Sequence, residues 1–513
     1  EARAQQLLRS ESVQAGFVLA TGPLFQAAVF RHADGTDELL LVAHHLVVDG
    51  VSWRILLEDL STLYNQARQG LALALPSKTD SLQAWQAQQQ HFALSQTLQA
   101  QLTYWQAQHQ APVAALPKDH PEGRNQVQDA QVQSFLLPAA LTEQLLTQTH
   151  RAYGTEVQEL LLTALAQALQ AHWGLHTVCL TLEGHGREWI GAELDVTRTV
   201  GWFTSKYPLV LDLSTAADSI DALIEVKEAL RRIPGKGIGY GLLRYLHPAQ
   251  PLAPAPASDI VFNYLGDFGS GAGATSQEAT GVFTYSGQQR GASVSAHRER
   301  PTSLEVSALI VEGQLRVSVT YSQQHYQQRT ITQVLAHYEQ HLTGLIATVA
   351  ATTARQLTPS DLTFAGLTRP ELAALTAQVG GVQDVYGLTP LQEGMYYHWV
   401  QDPGSRAHAI QVAYRLQGHL QVALLEQSYA QLVQSYDVLR TCFSHHYGGR
   451  ALQVVQPTVS GGFSFVDHAA LAGAALTQAL AQEKAADLAR GFDLRKGSQM
   501  RLRVVQLGPD SFE

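Results

Sequence analysis

The 513 residues carry 34 lysines and arginines against 44 aspartates and glutamates, a formal charge of −10 that excludes a broad basic groove for a nucleic-acid backbone. At 45% hydrophobic and 15% charged, the composition is that of packed globular protein, not of a disordered or fibrous chain. Two cysteines, Cys179 and Cys442, leave no disulfide framework and no thiolate zinc site, and no apolar run approaches the ~20 residues of a membrane helix.

The length predicts about three domains or lobes. No secretory leader pattern opens the sequence, so the expectation is a cytoplasmic protein. Glu1 at one end and Phe512-Glu513 at the other, without a terminating pattern, read as a piece of something longer.

In chain order, Leu39 to Ala43 form a short apolar strand pattern that runs into His44-His45-Leu46-Val47-Val48-Asp49-Gly50. Beyond it, Val51, Ile55, Leu56, Leu60 and Leu63 recur at the spacing of an amphipathic helix. A second helix is predicted over 81–106, and the polar, turn-rich stretch 117–128 marks a crossing between lobes. Helices follow over 141–153 and 155–172, the latter opened by Thr155 with Gln158 as a capping box. The pattern then predicts strands over 176–182, 199–213, 259–264, 304–311 and 315–321, with Glu312-Gly313 as the turn of the last pair. A helix over 330–348 closes this part. Strands and helices mixed in this order define a mixed α/β fold. Residues 352–384, rich in Thr, Pro, Gly and Ala with one weak helix at 370–378, read as an interdomain linker. A new globular segment begins near Tyr386-Gly387 and runs to residue 513.

The histidine pair is the first site candidate. Two histidines at a strand end turn one ring inward and one outward; such a His is a base near neutral pH, and Asp49 orients the loop through a buried ion pair. The competing reading is a pair of structural histidines capping a strand. A metal site is disfavoured, because His44, His45 and Asp49 lack a helical i, i+4 ligand spacing. The second candidate is Glu183-Gly184-His185-Gly186-Arg187-Glu188, a carboxylate at a strand end with glycines giving close backbone access; a solvated turn glutamate is the alternative. Arg198 to Pro208 is a third block, whose aromatics are more often core than function. Pro234 to Gly241 resembles a phosphate loop only superficially: it follows a helix and lacks the Lys-Ser/Thr pair.

The order of these blocks, completed by Phe262-Asn263-Tyr264-Leu265-Gly266-Asp267-Phe268, closely resembles the epimerization domain of nonribosomal peptide synthetases. The resemblance covers about residues 1–350. From Leu388-Thr389-Pro390-Leu391-Gln392-Glu393-Gly394-Met395 and Tyr436 to Thr441 onward, the chain resembles the opening of a condensation domain of the same synthetases. Two departures stand out: the epimerization domain's own opening block is missing, and the condensation segment ends before its own His-His-x-x-x-Asp-Gly.

The resemblance implies two chloramphenicol-acetyltransferase-like lobes with a tunnel between them. It implies a first lobe over 1–130, a second over 131–351, the linker 352–384, and a partial condensation domain over 385–513. The implied activity is L-to-D inversion at the α-carbon of an aminoacyl or peptidyl thioester. The implied partner is a carrier protein presenting phosphopantetheine; no cofactor or metal binds the chain directly. His45 and Glu183 would be the two acid–base groups, with Tyr264 as donor to the enolate oxygen or proton relay, supported by His44, Asp49, Gly50, Arg187, Tyr207 and Asn263. Condensation with the same fold, or a non-catalytic carrier-docking scaffold, are the rival functions. An internal repeat accompanies the resemblance: Gly16-Phe17-x-Leu19-x-x-Gly22 recurs as Gly491-Phe492-x-Leu494-x-x-Gly497, which predicts two homologous domains.

Overall fold

The computed structural model describes residues 2–33, 35–191, 193–252, 258–267, 283, 291–447 and 449–513. Phe268, the last residue of the Phe262 block, lies outside them. The chain forms two compact units, Glu1–Ala354 and Arg355–Glu513.

The first unit opens with α1 (Ala2–Ala15) and an antiparallel hairpin of β1 (Phe25–Arg31) and β2 (Asp37–Ala43), in register from Phe25↔Ala43 to Arg31↔Asp37. After the histidine loop comes α2 (Gly50–Arg68), whose N-cap is Asp49: its carboxylate accepts the Ser52 backbone N–H at 2.8 Å, satisfying one of the free amides of the first turn. The single helix expected over 81–106 is three pieces, α3 (Leu82–Phe92), α4 (Gln96–Gln99) and α5 (Leu102–Gln110). The break has a local cause. The Ser95 hydroxyl accepts the Leu98 N–H at 3.1 Å and restarts the helix as a cap.

The second half of this unit is built on β3 (Ala130–Leu136), α6 (Ala139–Thr147), α7 (Thr149–Tyr153), α8 (Val157–Trp173), β4 (Thr177–Gly184), β5 (Ser205–Asp212), α9 (Ser219–Arg231), α10 (Ile238–Gly241), β6 (Ile260–Asp267), β7 (Leu304–Val311), β8 (Gln314–Ser322) and α11 (Gln328–Ala351). Among the described residues the sheet runs β3-β8-β7-β6-β4-β5. Pairs β4–β6 and β6–β7 are parallel, and the others are antiparallel. Alternation along β4 sends Val178, Leu180 and Leu182 into the core, while Thr181 and Glu183 on the opposite face stay half-buried. Helix α8 is buried along Leu160–Leu162, Leu165 and Leu169, in the same core as Val334, Tyr338 and Leu342 of α11. Its capping box is one residue later than expected. Glu156 and Glu159 form it, because the Thr155 hydroxyl donates instead to the Thr149 carbonyl at 2.7 Å. Glu312 (φ 51°) and Gly313 (φ 75°) make the left-handed turn expected between β7 and β8.

The stretch expected as strand over 199–213 is strand only from Ser205. Residues 199–203 direct backbone groups to the side chains of Asp49, Ser52 and Arg187, as described below, in place of a ladder.

The second unit contains α12 (Arg369–Val379), β9 (Asp384–Gly387), α13 (Pro390–Gln401), β10 (Leu416–Gln417), α14 (Val422–Ser435), β11 (Thr441–Tyr447), β12 (Arg450–Val455), β13 (Phe463–Asp467), α15 (Gly473–Arg490), β14 (Leu502–Gly508) and β15 (Ser511–Phe512). Its strands form two sheets, β11-β12-β9 and β10-β15-β14-β13. Part of the segment read as a linker is packed here: Leu362, Leu367, Leu372 and Leu375 share a core with Val385, Cys442, Leu452 and Val454. Leucines dispersed among Thr and Pro escape a composition-based reading, yet each is buried. The 16–31 and 491–506 repeat ends in comparable local structure, a strand followed by an antiparallel partner (β1–β2 and β14–β15), with β14 paired in addition to β13.

Candidate active site

Asp49 is the hub of the histidine loop. Its Oδ1 accepts the Ser52 N–H and the Ser52 hydroxyl, each at 2.8 Å. Arg187 holds it in a two-pronged pair, Nη1 to Oδ2 at 2.7 Å and Nη2 to Oδ1 at 3.2 Å, and the Phe203 N–H donates to Oδ2 at 3.2 Å. Both charged side chains are withdrawn from solvent, Asp49 at 3% and Arg187 at 5% exposure. Burial by itself raises the Asp49 carboxyl, but the Arg187 and Ser52 hydrogen bonds and the Arg187 charge outweigh it and hold the group below its ordinary value. The guanidinium also donates to the Thr199 carbonyl at 3.0 Å and stacks 4.0 Å from the Phe203 ring centroid. The Ser52 hydroxyl accepts the Gly201 N–H at 3.0 Å and shares its one proton between Asp49 and the Gly201 carbonyl, 2.9 Å away. The buried ion pair expected for Asp49 is therefore present, and its partner comes from the Glu183–Glu188 block.

That block needs its glycines. Gly186 lies at φ 68°, and a Cβ there would sit 1.7 Å from the Phe203 carbonyl oxygen, so only glycine lets the turn pass the 199–204 segment. The Arg187 N–H donates to His185 Nδ1 at 3.0 Å, which leaves His185 Nε2 as the donor to Glu188 Oε1 at 2.9 Å. Burial raises the Glu188 carboxyl, but His185 and the Lys236 charge reverse the balance and lower it. His185 is thus occupied at both ring nitrogens.

Glu183 ends the core-spanning part of β4 and is addressed from both neighbouring strands. Lys206, directly opposite on β5, places Nζ 2.7 Å from Oε1. Asn263, on β6, donates from Nδ2 to Oε2 at 2.9 Å. Tyr264 stands on the other face of β6: it follows Asn263 on the alternating strand, is paired with buried Ala308, and packs against the core. Tyr207 also faces the core. It is paired with Leu182, stacks near Trp105, and burial pushes its hydroxyl up to about 12. The glycine-rich loop owes its composition to this packing, since a Cβ on Gly237 (φ 85°) would lie 2.1 Å from the Tyr207 ring.

The two histidines differ. His44 is half-buried, its Nδ1 accepting the Leu46 N–H at 3.2 Å. His45 is exposed, its ring 5.6 Å from that of Trp202. Trp202 belongs to the segment that leads into Lys206, so His45 and Glu183 are joined to the same connection between β4 and β5. Of the aromatics there, Phe203 is buried and Trp202 remains half-exposed beside the histidine. Gly50 is the first residue of α2. Sequence reasoning did not single out Ser52 and Lys206. An Asp-x-x-Ser cap pattern would have found the first, and only the β4–β5 register finds the second. Among the described residues no group of three or more His, Cys, Asp or Glu could hold a metal ion, and no helix is long and apolar enough to cross a membrane.

With this geometry in place, the comparisons are direct. The condensation-domain family model matches residues 1–368 and again 382–513. The chain belongs to the condensation-domain family. Its mixed α/β lobes have the chloramphenicol-acetyltransferase-like fold of condensation and epimerization domains. It is similar to the epimerization domain from the third module of tyrocidine synthetase B, 43% identical with a TM-score of 0.63, over 68% of this chain and 77% of that one. Tyrocidine synthase 2 of Brevibacillus parabrevis is 44% identical over 376 residues, 72% of this chain and 10% of that protein. Bacitracin synthase 3 of Bacillus licheniformis is 32% identical over 502 residues, 98% of this chain and 8% of that protein. The chain thus spans no more than 10% of either synthetase.

Proposed function

We propose that residues 1–351 invert the α-carbon of an aminoacyl or peptidyl thioester from L to D. The thioester would be presented on phosphopantetheine by a neighbouring carrier protein of a cytoplasmic synthetase. The single observation that carries this reading is the Glu183 carboxylate, set at a strand end between Lys206 and Asn263. A condensation catalyst has no use for a second acid–base group beside the histidine loop; an inverting one requires it. Likeness to an epimerization domain at 43% identity points the same way.

A thioester already acidifies its α-hydrogen, but reaction near neutral pH still needs a placed base. In the proposed sequence, one of His45 and Glu183 takes the α-proton from one face, and the electron pair passes into the thioester carbonyl as an enolate. The other group returns a proton to the opposite face. The two groups then hold exchanged protonation states, and the exposed His45 resets the pair with solvent. Asp49 and Arg187 hold the loop and do not touch the substrate. Tyr264, on the core-facing side of β6, is not needed for that exchange, and Tyr264→Phe measures whether its hydroxyl contributes. Phosphopantetheine belongs to the carrier, and no metal enters the scheme. Residues 385–513 are read as the opening of a condensation domain.

Condensation by residues 1–351 is the second reading, favoured by the family model and by the shared histidine loop. Incubation with an L-aminoacyl carrier in D2O separates the alternatives. Uptake of one α-deuterium with appearance of the D-form establishes epimerization. A new amide with an added acceptor establishes condensation, and neither product leaves a docking scaffold.

A further inference from the structure

Lys206 lies in the Arg198–Pro208 block but has no role in the motif-based assignment, yet among the described residues it sits 2.7 Å from the proposed catalytic carboxylate. Glu183 and Lys206 are directly opposite across the antiparallel β4–β5 pair, with Nζ 2.7 Å from Oε1. Asn263 takes the other oxygen at 2.9 Å from the strand on the far side. A glutamate on a sheet face has three rotatable bonds, and a partner on one side alone leaves the carboxylate free to swing about that contact. Partners on both sides, one per oxygen, fix its plane while leaving each oxygen a lone pair. Lys206 itself is 58% exposed, and it stands on β5, the edge strand of the sheet, so its removal leaves no hole in the core.

We propose that Lys206 is a positioning residue for Glu183: it clamps the carboxylate against Asn263. The proposal rests on the epimerization reading. Its test therefore has one arm that does not depend on turnover. In protein labelled with 13C at glutamate carboxyls, the Glu183 resonance is the one that Glu183→Gln removes. In Lys206→Met this resonance shifts and broadens, because the carboxylate has lost one of the two partners that fix its plane.

In the exchange assay on the full chain with a loaded carrier, Lys206→Met lowers kcat about 10- to 100-fold at unchanged KM. Lys206→Arg restores most of the rate and the wild-type resonance. An unchanged resonance and unchanged kcat in Lys206→Met, with an exchanging wild type, overturn the proposal alone. A loss that Arg does not restore, or that comes without the change in the resonance, overturns it as well. A wild type that exchanges no α-hydrogen overturns the epimerization reading, and with it the catalytic purpose given to Lys206, whatever the resonance does.

Discussion

Two carboxylate–cation pairs stand at the same end of the β4–β5 connection and are built in opposite ways. Asp49–Arg187 is almost dry, at 3% and 5% exposure, and every oxygen lone pair has a fixed donor. Glu183–Lys206 is wet, at 23% and 58%, with capacity left on the carboxylate. Burial makes the first pair a structural commitment, since removing one partner strands the other charge without water. Exposure makes the second pair cheap to break and easy to reprotonate. Two carboxylate–cation pairs thus divide into a clamp and a reactive group, with solvent access as the main difference.

The largest effect that sharpens this contrast is on the wet side. Glu183→Gln, which keeps the shape but replaces one acceptor oxygen with an amide donor, lowers α-hydrogen exchange by about 10²- to 10⁴-fold and leaves the unfolding transition in place. Near wild-type exchange in a loaded-carrier assay would break the division of roles. On the dry side, Arg187→Ala destabilises the first unit by about 3–5 kcal/mol in denaturant unfolding, because Asp49 is left buried and unpaired. A cost below about 1 kcal/mol would place this pair with the exposed ones. His45→Ala loses about 10²-fold in exchange, whereas His44→Ala, whose Nδ1 is already engaged by Leu46, gives a smaller loss; equal mild losses mean both rings are structural.

The smallest effect is acid sensitivity. The folded Asp49 carboxyl lies below its unfolded value near 3.9, so the stability it contributes is complete above about pH 4 and is lost as pH falls through the folded value. Arg187→Ala removes much of this acid limb, and an unfolding series between neutral and acid pH measures it.

Much of this architecture is legible in the amino-acid sequence. The strand at 39–43, the helix after Gly50, the turn at Glu312-Gly313 and the mixed strand–helix order of the second half follow from local apolar periodicity and turn chemistry, which are properties of short windows. Asp49 as the residue that holds its loop is also readable, from an acidic residue in front of a helix. Windows do not carry register. That Lys206 stands across from Glu183, and that Tyr264 faces away from Asn263's side, are consequences of pairing between strands far apart in sequence. The 199–203 segment departs from its expected strand for the same reason: its β-forming residues are overruled by Arg187, Ser52 and Asp49, which claim its backbone groups. Likewise, Leu362 to Leu375 read as linker until the strands that cover them are known.

The contacts that shape the histidine loop join Asp49 to Arg187 across 138 residues and Ser52 to Gly201 across 149. During synthesis, therefore, His45 leaves the ribosome well over a hundred residues ahead of Trp202, and Asp49 as far ahead of Arg187. Closing so long a loop carries an entropic cost that only finished structure at its far end offsets. The β4–β5 hairpin must exist before the loop has anything to dock on. A chain released before about residue 205 therefore carries its histidine loop without the connection that docks it.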